Sequence, residues 1–315
     1  MTHLELGPVV LGGNVFGWTA DQATSFAVLD AFVESGGRSI DTADSYSVWV
    51  AGHRGGESES IIGEWLVARA NRDDIELHTK VCNHPGRRGL RAGNIAAAVD
   101  DSLRRLRTDR IDLYYAHDDD PSVPQEEYVA ALDALVRAGK VREVGASNFS
   151  AERFAGAVEL ARREGLTPFT VSQDHWNLVE RDIESTLLPT LVERGVVELP
   201  YAGLAGGFLT GKHRPGTADP SPRADAARVY LDRPGSTALL STLDELALAH
   251  GVSPAVVALA WLRTRPAVGA PIASARLPEQ VPPLVASATL ELDTDVLERL
   301  DAVSAATSKD PQPQL

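Results

Sequence analysis

Eight short apolar runs rich in β-branched residues recur along the chain, most of them followed by a longer stretch with helical periodicity, and this alternation leaves few folds open. The runs fall at residues 9–11, 39–41, 75–80, 111–117, 141–147, 169–173, 196–201 and 268–273. Helical patterns occupy 22–34, 58–69 and 94–106 between them. Pro124-Gln-Glu-Glu opens a further helix with proline in its first turn, and Gly139 follows its end, where a left-handed residue is wanted. Repeated strand–helix units give a parallel sheet covered by helices. Eight of them close on themselves, so the predicted architecture is α/β, a (β/α)8 TIM barrel built from eight parallel strands.

A barrel of this kind commonly takes about 250 residues or more as one unit. The 315 residues here therefore read as a single barrel domain spanning 1–315. The stretch 213–235, rich in Pro, Asp and Arg, is predicted to be a long loop, and 307–315, with two prolines and no apolar pattern, a mobile tail.

A net charge of -14 excludes a broad nucleic-acid-binding face, because affinity for phosphate backbones needs clustered Lys and Arg. Any phosphate site must be local. No run approaches the ~20 apolar residues of a spanning helix, and no basic patch precedes an apolar stretch at the start, so neither a membrane span nor a signal peptide is expected. The single cysteine, Cys82, cannot form an intrachain disulfide, and a cytoplasmic address is expected. Cys82 reads as a packing residue.

No two of the 26 glycines are separated by one residue, so the Gly-x-Gly-x-x-Gly signature of a doubly wound dinucleotide fold is absent. Gly206-Gly-Phe-Leu-Thr-Gly211-Lys212-His213 misses a phosphate-binding P-loop by one residue, since His213 stands where a magnesium-binding hydroxyl is required. The eight histidines contain no short-range chelating pair, and His117-Asp-Asp-Asp120 reads as a solvated loop. No metal site is predicted.

Four reactive side chains sit at or just past the ends of the predicted strands. Asp41 and Tyr46 lie in Asp-Thr-Ala-Asp-Ser-Tyr, Lys80 ends Ile-Glu-Leu-His-Thr-Lys, and His117 ends Ile-Asp-Leu-Tyr-Tyr-Ala-His. In a parallel barrel the C-terminal strand ends converge on one mouth, so residues distant in sequence meet. A phenol with a reference pKa of about 10 is a poor acid, and a neighbouring ammonium is expected to lower it. This assigns Tyr46 as general acid, Lys80 as its activator, Asp41 as the carboxylate that holds Lys80, and His117 as the donor that orients a carbonyl.

With these residues in place the chain resembles the aldo-keto reductase family over nearly its whole length. Asp41-Thr-Ala-Asp-Ser-Tyr46 is similar to the family's Asp-Thr-Ala-x-x-Tyr, Gly56-Glu-Ser-Glu-Ser-Ile-Ile-Gly63 to its next helix start, and Lys80 and His117 fall where its lysine and histidine fall. The resemblance implies NADP(H) bound in extended form without a doubly wound domain. It also implies that Ser147, Asn148 and Gln173 hold the nicotinamide amide and that Tyr201 stacks on the ring. Leu204, Gly206, Gly211 and Lys212 belong to a segment resembling the loop across the pyrophosphate. Ser274 and Arg276, in Ser-Ala-Arg-Leu-Pro-Glu-Gln280, resemble the clamp on a 2′-phosphate, which favours NADPH, and Gln280 belongs to the same cofactor segment.

Some positions depart from the family pattern. Ala202-Gly203-Leu204 replaces Ser-Pro-Leu and is expected to loosen the pyrophosphate loop, Leu284 replaces an adenine-contacting Asn, and Trp176 replaces a tyrosine. The resemblance also leads one to expect a truncated form of the N-terminal hairpin that commonly plugs the barrel bottom. Trp18 and Trp49 are candidate walls of a substrate pocket, suited to planar carbonyls or sugar faces. The expected activity is NADPH-dependent reduction of an aldehyde or ketone, a sugar or biosynthetic intermediate included. Two other readings stay open on the sequence: a cofactor-binding regulatory barrel with little turnover, and a non-redox lyase or isomerase using Lys80 and His117. The partner expected is a small carbonyl compound, and the oligomeric state is not legible.

Overall fold

The first and last strands of the chain lie side by side, and this contact begins the closure of the sheet. A computed structural model describes residues 4–214 and 224–307. Along it run β1 (Val10–Gly12), α1 (Gln22–Glu34), β2 (Ser39–Asp41), α2 (Glu57–Arg69), β3 (Glu76–Val81), α3 (Ala92–Leu106), β4 (Ile111–Ala116), α4 (Gln125–Arg137) and β5 (Val141–Ser147). Then follow α5 (Ala151–Glu164), β6 (Val171–Gln173), α6 (Leu188–Arg194), β7 (Val197–Glu198), α7 (Ala224–Leu231), α8 (Ser236–His250), α9 (Pro254–Arg263), β8 (Ile272–Ala273), α10 (Val281–Ala286) and α11 (Thr294–Ala305). The strand order is β7-β6-β5-β4-β3-β2-β1-β8 and the strand pairings are parallel. The ring closes where the Glu198 amide donates to Ala267 O at 2.8 Å and the Ile272 amide to Pro200 O at 2.8 Å. The fold is the (β/α)8 barrel that the alternating pattern predicts.

Local signals account for the elements. Asp21 caps α1 by accepting from the Thr24 amide at 2.8 Å, and Ser150 caps α5 by accepting from the Arg153 amide at 3.2 Å, each satisfying a free N–H of a first turn. Gly139 ends α4 with φ +73, as its position requires. A second glycine is fixed by packing: a Cβ on Gly63 would lie 2.2 Å from Arg105 O, so α2 can approach α3 only because that position is bare.

Apolar side chains fill two layers. Val10, Leu113, Tyr115, Val171, Leu199 and Ile272 pack inside the barrel, with Leu4 and Leu6 beneath them. Among the described residues no strand pair precedes β1, and Leu4 and Leu6 pack against this layer. Outside the sheet, Trp65, Trp176, Trp261, Phe32 and Phe154 are buried under the helices. Each such ring contributes on the order of 2–3 kcal/mol of apolar burial. Trp176 is thus a core residue, its indole N–H donating to Glu184 at 3.0 Å.

The predicted loop at 213–235 needs correction. Its middle, 215–223, lies outside the described residues, but Ala224–Leu231 is helical, and Ala227 is buried beside Phe208 and Tyr230, whose rings are 5.7 Å apart. Pro, Asp and Arg masked the apolar side of α7. The predicted mobile tail falls, from residue 308, outside the described residues.

Candidate active site

Register explains why distant residues converge. Asp41 pairs with His78, Lys80 with Tyr115, Ala116 with Ala146, and Ser147 with Gln173, so the ends of β2 to β6 stand level around one mouth. Asp41, Lys80 and His117 leave three successive strands there. Tyr46 returns over the mouth from the turns after β2, where Ser47 takes φ +71 and its hydroxyl donates to Phe16 O at 2.8 Å. That anchor sets the direction of the phenol.

The Lys80 ammonium is fully buried and donates to three oxygens: Asp41 Oδ2 at 2.6 Å, Thr42 O at 2.8 Å and Tyr46 Oη at 3.0 Å. Asp41 Oδ1 accepts from Gln173 Nε2 at 2.8 Å. Two of the predicted sets, acid–base and amide-binding, therefore touch at Asp41. Thr42 is a partner that the strand-end argument missed, because a backbone carbonyl carries no side-chain signal. Its hydroxyl donates to Ser58, and Ser58 donates to Gly13 O at 2.7 Å, which braces the turn against β1.

Burial pushes the Lys80 amine down, and Asp41 opposes that shift. Burial drives the Tyr46 phenol well above its ordinary value, with Asp41 adding to the rise. The expectation that the ammonium lowers the resting phenol is overturned: desolvation and a carboxylate on the same cluster outweigh one amine. Tyr46 thus stays protonated. The His117 imidazole is pushed down to about 3, first by burial and then by Lys80, so it is neutral. Its Nδ1 is buried without a partner among the described residues, which leaves Nε2 for the cleft. The rings of Tyr46 and His117 stand 6.0 Å apart at 72°, edge to face, and both residues line the same cavity.

A cavity of about 650 Å³ opens from this cluster. Asp41, Tyr46, His117, Ser147, Asn148, Gln173 and Tyr201 line one end; Lys212, Ser253, Ser274, Arg276, Gln280 and Leu284 line the other, with Leu204 and Gly206 also on its wall. Gly211 is not on the lining; a Cβ there would meet Arg214, Pro254 and Asp244. Trp18 and Trp49 lie beside the cavity, Trp49 half exposed with its ring 6.1 Å from Tyr46 and 5.7 Å from Trp18.

Each cofactor-type residue is held by neighbours. Asn148, at φ +58, donates to His117 O at 3.1 Å and accepts from Tyr201 Oη at 3.0 Å. Tyr201 stacks on His175 with centroids 5.2 Å apart. Gln280 accepts from the Arg276 amide at 2.8 Å, so it shapes the clamp segment. Ser274 donates to Asn14 at 2.8 Å, a partner across the β8–β1 seam that no local motif announces. The Ala202-Gly203 replacement does not leave the loop unheld: Asn177 Nδ2 and the Ala205 amide both donate to Ala202 O, at 2.9 and 2.8 Å. Ser253, missed in the sequence, brings the N-terminus of α9 to the lining, where Pro254 has no N–H and the Ala255 amide is the first that a phosphate could meet.

Comparison with known proteins agrees with this geometry. The profile of the Aldo/keto reductase family matches residues 8–305. The chain is 33% identical to a norsolorinic acid reductase of Emericella nidulans, covering 96% of this chain and 80% of that protein. It is 31% identical to the aldo-keto reductase YhdN of Bacillus subtilis, covering 98% and 92%, and 30% identical to the protein Tas of Escherichia coli, covering 96% and 95%.

Proposed function

The chain belongs to the aldo/keto reductase family, and from that premise we propose that it reduces an aldehyde or ketone with NADPH, using Tyr46 as the proton donor. The observation that carries this reading is the Lys80 ammonium bonded at once to Asp41 and Tyr46 at the mouth of a cavity long enough to continue to Arg276.

The cavity fits an extended dinucleotide. Ser147, Asn148 and Gln173 offer amide-type partners beside Tyr46, Tyr201 offers a ring face, and Lys212, Ser253 and the Ala255 amide, the first N–H of α9, offer donors further along the same lining. Ser274 and Arg276 would take a 2′-phosphate, and a guanidinium can do so with two parallel hydrogen bonds. When bound, the reduced nicotinamide supplies the hydride.

The chain's own residues then handle the oxygen. Neutral His117 and protonated Tyr46 both donate to the carbonyl oxygen, fixing its face and stabilising negative charge as it develops. An alkoxide is a far stronger base than a phenolate, so the Tyr46 proton moves despite its raised resting affinity. The phenolate formed lies 3.0 Å from Lys80 Nζ, where the ammonium stabilises it until solvent returns a proton. Asp41 keeps that ammonium charged inside a buried site.

The chain's likeness to a norsolorinic acid reductase supports carbonyl chemistry. Trp49 beside Tyr46 adds a flat apolar wall suited to a planar substrate.

NADPH is expected to quench tryptophan fluorescence, and its absorbance to fall with a carbonyl panel. Tyr46→Phe keeps the ring and removes the proton, so kcat should drop by about 10²–10⁴-fold with NADPH affinity retained. Wild-type protein that binds neither NADPH nor NADH, or Tyr46→Phe with full activity, would overturn the proposal.

A further inference from the structure

Behind the residues proposed to hold the nicotinamide lies a buried carboxylate that the mechanism has not used. We propose that Asp174 is a positioning residue for the cofactor: its carboxylate holds Asn148 in a left-handed backbone, and through Asn148 and Tyr201 it sets the wall against which the nicotinamide rests. This inference rests on the reading of the cavity as a dinucleotide site.

Asp174 follows β6 directly, one residue after Gln173. Its Oδ1 accepts from the Asn148 amide at 3.0 Å, and its Oδ2 accepts from the Ser172 hydroxyl. Its own carbonyl accepts from the Tyr201 amide at 2.9 Å. The two outer residues are then joined to each other, since Tyr201 Oη donates to Asn148 Oδ1. One side chain and one carbonyl of Asp174 therefore anchor two of the four residues assigned to the nicotinamide, and Gln173 is its neighbour in the chain.

Asn148 needs such an anchor. A residue with a side chain at φ +58 is strained, although Asn tolerates it better than most. In that conformation the Asn148 amide turns toward the carboxylate and the side chain toward His117 O and Tyr201.

The placement carries a cost that a purely structural residue would avoid. Asp174 is buried next to a second carboxyl, Glu198, whose Oε1 accepts from the Asp174 amide at 2.9 Å. Burial raises the Asp174 carboxyl to about 6 against the pull of Ser172 and Asn148, and burial with the charge of Asp174 raises Glu198 well above its ordinary value. The groups facing Asp174 are thus Glu198 on β7, Tyr201 after β7 and Asn148 after β5. An anion kept in such a place destabilises the fold at neutral pH. Its bonds to Asn148 and Tyr201 fit a role in binding.

Asp174→Asn separates the two roles, because the amide oxygen can still accept from Asn148 while the charge is gone. At pH 8 the expected result is an NADPH Kd raised about tenfold with Tm unchanged or higher. The wild-type Kd should also weaken more steeply than the variant's as pH falls through about 6, the NADPH 2′-phosphate titrating there in both. A folded Asp174→Asn with wild-type Kd overturns the proposal, whatever its Tm. Should that variant not fold, Ser172→Ala removes only the hydroxyl on Oδ2. It is expected to raise Kd severalfold and shift its pH dependence upward; an unchanged Kd and profile there would equally overturn it. Wild-type protein that binds neither NADPH nor NADH marks instead the failure of the underlying cofactor reading.

Discussion

The two rims of the barrel both bury charge, but they do so on opposite terms. At the N-terminal rim Asp112 is paired with two guanidinium groups, Arg72 at 2.7 Å and Arg142 at 2.8 Å, and also accepts from the Leu77 amide at 2.9 Å. Around it Glu76 accepts from the Glu5 amide and Glu143 from Thr170. Asp112 thus has two guanidinium partners, and both reach solvent. At the C-terminal rim one buried ammonium serves a carboxylate, a carbonyl and a phenol together. His117 Nδ1 and both oxygens of Asp44 lack hydrogen-bond partners among the described residues. Glu76 Oε2 at the N-terminal rim is likewise without a hydrogen-bond partner among the described residues, so the rims differ in ion pairing and not in saturation: paired guanidinium groups fix geometry at one, and a shared ammonium beside a phenol leaves a proton that can move at the other.

Breaking the mouth tests the sharper half of that contrast. In Lys80→Met the apolar chain keeps the volume, while Tyr46 loses the charge that stabilises its phenolate. Turnover should fall by about 10³-fold, near 4 kcal/mol of transition-state stabilisation. Tm should move little, because removing a buried cation also removes its desolvation cost, and Asp41 can take up a proton. Steady-state rates and thermal melts on one preparation decide it. A variant with near wild-type kcat would erase the distinction between the rims.

The N-terminal rim should respond the other way. Asp112→Ala leaves Arg72 and Arg142 facing each other without their carboxylate, and uncovers the Leu77 amide. Removing one partner of such a buried pair costs about 3–5 kcal/mol. Urea unfolding should show that loss, while kcat per folded molecule stays within about twofold of wild type. A drop in kcat as large as that of Lys80→Met would mean that the two rims are not separable.

How far the sequence revealed this arrangement depends on where the signal lay. Strand-end chemistry was legible because the two-residue and 3.6-residue periodicities place the strands, and the barrel then brings Asp41, Lys80 and His117 together. Contacts across the barrel were not. Gln173 meets Asp41 over 132 residues and Ser274 meets Asn14 over 260, and neither pair leaves a local trace. Nor does sequence weigh burial: Lys80 beside Tyr46 suggested a lowered phenol, and only the depth of the cluster reverses the sign. Asp174 escaped notice for a related reason, being one carboxylate in an acidic chain until Asn148 and Glu198 are seen around it.

The smallest effect concerns the layer between the rims. His78, level with Asp41 inside the barrel, has both ring nitrogens buried without partners among the described residues, and its ring stands 6.4 Å from that of Tyr115. Burial pushes it down to about 4, with Lys80 adding to the fall and Asp41 opposing. The folded protein therefore binds fewer protons than the unfolded chain between about pH 6.5 and 4, and stability from this residue is lost as pH falls through that window. His117, also depressed, acts in the same direction, whereas Asp174, raised, acts against it. His78→Phe keeps the edge-on contact with Tyr115 and removes one titration. Across pH 7 to 4 the wild type should lose about 3 kcal/mol more than the variant, less where Tyr115 and Asp41 relax around a protonated ring. Unfolding free energies at a series of pH values measure the slope. Parallel curves would show that His78 is already solvated, and that the polar character of the mouth extends down into the barrel core.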